Sequence, residues 1–212
     1  MVAFFGVGLA NGAFGTLAPV FAQGVGLPVE SVALLVAGAI VGGAPLQAPV
    51  GRLSDRMDRR RLLAGIALFG ATLSLGLFLL DLSEPAALIL LVAVLGGAMH
   101  TLYPVAVAHA NDRADKGDFV AVASGLLLIF GGGASVGPAV AAPIMQAGAP
   151  HWLFLFLMGV YVLIALHALW RTRVSPSVTE SQHAPVALEP MQSATHEAMY
   201  LHPRADEQGR PD

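Results

Sequence analysis

SVALLVAGAIVGGAPLQAPV (residues 31–50), GRLSDRMDRRR (residues 51–61) and LLAGIALFGATLSLGLFLL (residues 62–80) follow one another without a break: an uncharged apolar run, a charged turn and a second uncharged apolar run. Each apolar run is about 20 residues, which as helix at about 1.5 Å per residue crosses a hydrocarbon core of about 30 Å. A charge at the centre of such a helix costs at least about 2.5–3.5 kcal/mol on insertion scales, so the absence of charge from both runs is what lipid selects. The stretch therefore reads as two membrane-crossing helices joined by a tight charged turn.

Outward from it the pattern repeats. Apolar spans are expected at 2–22, 31–50, 62–80, 86–108, 119–144 and 151–170, and none contains Asp, Glu, Lys or Arg. The 212 residues are 56% hydrophobic and 12% charged, with mean hydropathy +0.70, whereas a soluble domain carries about 25% charged residues. The expected fold is an all-α integral membrane bundle of six transmembrane helices over residues 1–171. Residues 172–212, poor in large apolar side chains and rich in Ser, Pro, Glu, Gln and His, are expected to be a disordered tail, because they cannot bury enough apolar area to offset ordering entropy. The tail's His183, His196 and His202 are not spaced like a metal site, and with no cysteine there are neither disulfides nor thiolate ligands. No metal and no cofactor is expected.

The basic residues sort by loop. Arg52, Arg56, Arg59, Arg60 and Arg61 follow the second span, Arg113 and Lys116 the fourth, and Arg171, Arg173, Arg204 and Arg210 the sixth. Glu30, Asp81 and Glu84 occupy connections on the other side. Cytoplasmic loops retain Lys and Arg, so both termini are expected in the cytoplasm and the chain in the inner (plasma) membrane. Val20-Phe21-Ala22 loosely resembles a signal-peptidase site, but there is no basic segment before it and the apolar run is long for a signal peptide. A retained span is the expectation; cleavage there would leave the C-terminal side unchanged.

The charged turn carries the family resemblance. Gly51, Leu53, Ser54, Asp55, Arg56, Asp58, Arg59 and Arg60 fit G-x-L-(S/A)-D-R-x-(G/D)-R-(R/K), and so resemble the signature loop of the major facilitator superfamily. Thr101-Leu102-Tyr103-Pro104-Val105-Ala106, Leu126-Leu127-Leu128 and Val136-Gly137-Pro138 resemble its YcaD-like branch, in the C-terminal six-helix half. The resemblance implies half of a major facilitator bundle, built as a 3+3 inverted repeat. Members of the branch are about twice this length, so it also implies a second six-helix unit: a separately encoded N-terminal half, a second copy of this chain, or a half lost by truncation. In the family the Asp of the loop engages a neighbouring helix N-terminus and an Arg. On that resemblance Gly51, Arg52, Asp55, Arg56, Asp58 and Arg59 form a conformational gate loop, with Asp55 as the gate residue. A carboxylate at a helix N-terminus is worth about 0.3–1 kcal/mol, enough to bias two states of similar energy. The arginines also serve topology, and the two roles are compatible.

Within lipid, close helix packing depends on small residues at helical spacing. Gly8 and Gly12, Gly38 and Gly42, and Gly133 and Gly137 each supply such a pair, and Ala141 extends the last. Pro19, Pro45, Pro49, Pro104, Pro138 and Pro143 are candidate kinks. Gly137-Pro138 resembles the superfamily's glycine-proline motif, with packing or a plain kink as its expected role.

Polar groups within the spans are few. Asn11, Gln47, His100 and Tyr103 are the candidates for a substrate cavity, His100 and Tyr103 sharing a helix face with Val107. His100 is either a proton carrier or polar contact, or a donor to a carbonyl on an adjacent helix with no further role. His109 and His167 are expected at the interface, and Trp152 and Trp170 in the aromatic belt. The spans hold no zinc motif, Ser-centred elbow or paired carboxylates, and no phosphate loop occurs, so neither an enzyme nor an ATP-driven pump is expected. The resemblance implies a secondary transporter of an unidentified small molecule, working in the lipid bilayer with a second half or as a homodimer, and with no nucleic-acid partner. The competing reading is a non-transporting assembly or scaffold subunit derived from such a half.

Overall fold

The computed structural model describes residues 2–80, 84–111 and 119–174. Among these the chain is six α-helices and no strand: α1 (Val2–Gly24), α2 (Val29–Ser54), α3 (Arg59–Leu79), α4 (Pro85–Asn111), α5 (Phe119–Ala147) and α6 (Trp152–Val174). All six are long and apolar enough to cross a membrane. Of the tail expected to be disordered over 172–212, residues 172–174 instead complete the last turn of α6; the rest, with the loop charges Asp81, Arg113 and Lys116, lies outside the described residues.

Each expected span falls within its helix to one residue, but several helices continue further. Hydropathy marks the hydrocarbon core, whereas the helix persists into the interface where charged side chains are solvated. Arg59, Arg60 and Arg61 thus open α3, and Arg171 and Arg173 lie in the last turn of α6, where they complement the helix dipole. The cations at the start of α3 oppose its dipole, and Asp58 compensates by capping that end, its Oδ1 accepting the Arg60 N–H at 2.9 Å. Between α1 and α2 the chain turns at Gly26, whose φ of 80° only glycine adopts freely. The span prolines all lie inside continuous helices.

The closest packing pairs are α1 with α5, α2 with α4, and α3 with α6, supported by α3 with α4 and α1 with α6. Exchanging the first three helices for the last three maps α1/α5 onto α4/α2 and α1/α6 onto α4/α3, and leaves α3/α6 in place. Three crossings per triplet put the start of the second triplet on the opposite side of the membrane, so the repeat is inverted. This 3+3 plan, implied by resemblance alone, is therefore present in the packing.

Glycines decide the two equivalent seams. In α1/α5, a Cβ on Gly8 or Gly12 would strike the carbonyls of Phe130 or Ala134, and one on Gly133 or Gly137 those of Phe5 or Leu9. In α2/α4, Gly42 meets the Ala93 carbonyl and Gly96 the Ala39 carbonyl in the same way. Carbonyls seated where side chains would begin are the arrangement in which Cα–H···O contacts form, and they substitute for the hydrophobic drive that lipid removes.

These seams leave α2 and α5 at the edges. Only 17% of the spanning residues of each are buried, against 44–56% in the other four helices. On α5 the buried positions form one stripe, Leu126, Gly133, Gly137, Ala141 and Met145. The apolar core lies among α1, α3, α4 and α6, around Phe14, Val92, Leu102, Phe154 and Tyr161.

Candidate functional site

The charged turn is built by two helix ends. The last turn of α2 closes with Asp55 N–H donating to the Gly51 carbonyl and Met57 N–H to Leu53. The helix therefore runs through Gly51 to Ser54, and the chain leaves it at Asp55. Gly51, a small residue in that last turn, leaves open space beside the helix end. Asp55 and Arg59 approach at 3.7 Å, across the turn, and the Arg59 Nε donates to the Ser54 carbonyl at 3.4 Å. The Asp55 side chain is 75% exposed. An exposed pair of this kind is worth about 0.2–1 kcal/mol, so it orients the carboxylate without locking it. Arg52 and Arg56 are exposed beside it. Asp58 is the member of the turn seated at a helix N-terminus, that of α3.

Next to Asp55 the space between α2 and α4 opens into a cavity of about 240 Å³, lined among others by Gln47, Ser54, Asp55, Thr101 and Pro104. Ser54 is buried, and its hydroxyl has no hydrogen-bond partner among the described residues. Thr101 spends its hydroxyl proton on its own helix, near the Gly97 and Ala98 carbonyls at 2.8 and 3.1 Å.

The four polar candidates are not brought into one cluster. Asn11 donates to the Val7 carbonyl at 2.9 Å, and the His100 Nδ1 stands 2.8 Å from the Gly96 carbonyl, which makes that nitrogen the donor. His100 packs over Gly43 of α2, and Gln47 faces the opening beside Asp55. Tyr103 turns the other way, its ring edge-on to Phe4 and Phe130 at 6.0 and 5.0 Å. Among the described residues no hydrogen bond joins any two of the four, and no group of His, Asp and Glu is placed to hold a metal ion. Gly133 and Gly137 belong to the α1/α5 seam, with Pro138 beside them in α5.

Arg60 fits the motif but has no place in the expected gate loop. It is 2% exposed, and its Nη1 donates to the Arg171 carbonyl at 2.8 Å, tying the start of α3 to the end of α6. Periodicity carried the signal: Arg60 precedes the buried Leu63, Ala64 and Ala67 at helical spacing, on the stripe that faces the core.

The sequence profile of the Major Facilitator Superfamily matches residues 1–202. The chain belongs to the major facilitator superfamily. Among curated proteins it is similar to an uncharacterized MFS-type transporter YcaD of Salmonella arizonae, 30% identical over 170 residues, covering 80% of this chain and 43% of that one. The corresponding protein of Salmonella typhi is 30% identical over 168 residues, 78% of this chain and 43% of its own. The chain thus spans less than half the length of these major facilitator relatives. No solved structure matches it. Its bundle, packed as two exchanged triplets, has the form of half a major facilitator bundle.

Proposed function

We propose that the chain is one six-helix half of a secondary transporter that moves a small molecule by rocking against a second six-helix unit. The observation that supports this most directly is the burial of α2 and α5, only 17% of each span, at the edges of a superfamily half. Both helices pack chiefly against one neighbour along a glycine-lined stripe and leave most of their spanning residues outside the core. The second unit is the other half of a full-length transporter or another copy of this chain, and the assembly is set in the inner membrane with both termini of this chain cytoplasmic.

Within that reading Asp55 gates the basic end. Its exposed carboxylate, at the mouth of the opening between α2 and α4, is available to a helix N-terminus of the second unit. Gln47 and His100 are then candidates for contact with substrate.

The complex purified in mild detergent is expected to contain two six-helix units by native mass, and to catalyse solute flux when reconstituted. A monomer that supports no flux would overturn the proposal. Asp55→Asn is expected to shift the balance of conformations by about twofold to fivefold, the equivalent of about 0.3–1 kcal/mol, with membrane insertion unchanged. The chain has no cysteine, so thiol labelling of Gln47→Cys, with and without Asp55→Asn, reads that shift without background. Identical labelling rates, or loss of insertion, would remove Asp55 from the gate.

A further inference from the structure

Hydroxyls in the spans usually turn to their own helix. Thr72, Thr101, Ser124 and Ser135 each donate to the carbonyl one turn back. Ser74 of α3 and Tyr161 of α6 depart from this. Both are fully buried, and neither hydroxyl has a hydrogen-bond partner among the described residues. Folded proteins rarely leave buried polar groups unpaired, because each one has given up its water for nothing in return.

The two belong to one contact. A Cβ on Gly70 would stand 3.3 Å from Tyr161 Cζ, the ring carbon that carries the hydroxyl, and Ser74 lies one turn further along the same face of α3. The third and sixth spans cross in opposite senses, so a side chain of α6, leaning toward its own N-terminus, leans toward the Leu79 end of α3, where Ser74 lies. That face of α3 is small: Ala67, Gly70, Ala71 and Ser74 follow one another on it, all buried, whereas α6 buries Leu157, Tyr161 and Ile164. A track of small residues lets a neighbouring helix shear along it without large side chains having to pass. The 3+3 exchange leaves α3/α6 in place, so motion of one triplet against the other is taken up at this contact.

We propose that α3 and α6 have a second packing, in which α6 is sheared toward the Leu79 end of α3 by less than one helical turn and the Tyr161 hydroxyl donates to Ser74 Oγ. The Arg60 bond to the Arg171 carbonyl favours the packing described, since the shear carries Arg171 along α3. The hydroxyl pair favours the other. The two packings belong to a single six-helix unit and do not depend on the second one.

The chain has no cysteine, so nitroxides on Leu79→Cys of α3 and Leu166→Cys of α6, both exposed positions, report the offset of the two helices by double electron–electron resonance in nanodiscs. Two distances are expected, the longer for the packing described and the shorter for the sheared one. Tyr161→Phe and Ser74→Ala each remove the hydroxyl pair with little change of shape. Each should lower the ratio of shorter to longer about fivefold, which converts to about 1 kcal/mol, and the double variant should go no further. Thr72→Val, whose hydroxyl bonds to Leu68 on its own helix, should leave the ratio unchanged. A single distance in the unsubstituted contact would overturn the proposal, as would a ratio that Tyr161→Phe and Ser74→Ala do not move. Additive losses in the double variant would also overturn it, since the two hydroxyls would then have separate partners.

Discussion

Gly133→Ala is expected to destabilise the bundle by about 2–3 kcal/mol, while Gly132→Ala, one residue earlier, is neutral or slightly stabilising. The two glycines differ only in which face of α5 they occupy. A Cβ on Gly133 would run into the Phe5 carbonyl and stand 3.0 Å from the Leu9 amide nitrogen, both in the backbone of α1. Backbone inside a helix cannot rotate aside as a side chain does, so the helices must separate. Separation also loosens the approaches at Gly8, Gly12 and Gly137, which share the seam. A Cβ on Gly132 meets nothing within 4 Å. Unfolding each variant by SDS titration in mixed micelles checks the contrast. Matching midpoints would show that α1 and α5 do not approach as closely as described.

The second large effect is expected at Arg60. Arg60→Gln should cost about 1.5–3 kcal/mol, the range for hydrogen bonds to a charged group, while Arg61→Gln stays within about 0.5 kcal/mol. Arg60 is 2% exposed and bonded across the bundle to the Arg171 carbonyl, whereas Arg61 is exposed. Replacing Arg60 leaves that carbonyl short of its donor and unties α3 from the end of α6. Thermal unfolding in detergent, followed by helical circular dichroism, reads the difference. Equal losses for the two arginines would mean that charge at the turn matters and the buried bond does not.

These pairs of adjacent residues locate the limit of sequence reading. Gly132 and Gly133 are the same letter, as are Arg60 and Arg61, and their separation comes only from the direction of the helix face. The G-x-x-x-G spacings pointed to close-packing faces, because only small residues let helices approach in lipid, and at Gly8, Gly42 and Gly133 a Cβ would meet the backbone of another helix. They did not say that Gly133 meets α1, or that Gly42 meets α4. The Asp55–Arg59 pair spans the turn between α2 and α3, so helical periodicity does not give it. That Asp58, and not Asp55, occupies a helix N-terminus required the end of α2 to be placed at Ser54.

The polar candidates fared differently for a physical reason. Asn11 and His100 were selected as rare polar side chains in apolar spans, and in the bundle both turn to carbonyls one turn back along their own helices. An unpaired polar group in lipid is costly, and the nearest carbonyl is always available, so local bonding competes with convergence on a site.

By itself the sequence determined the number of crossings and the family, since hydrocarbon thickness and the cost of buried charge act on each segment locally. Tertiary structure alone decided which helices pair, which glycines meet another helix, and that α2 and α5 are left at the edges. Those outcomes depend on contacts between residues far apart in the chain, where carbonyls and small side chains of different helices must meet at one place.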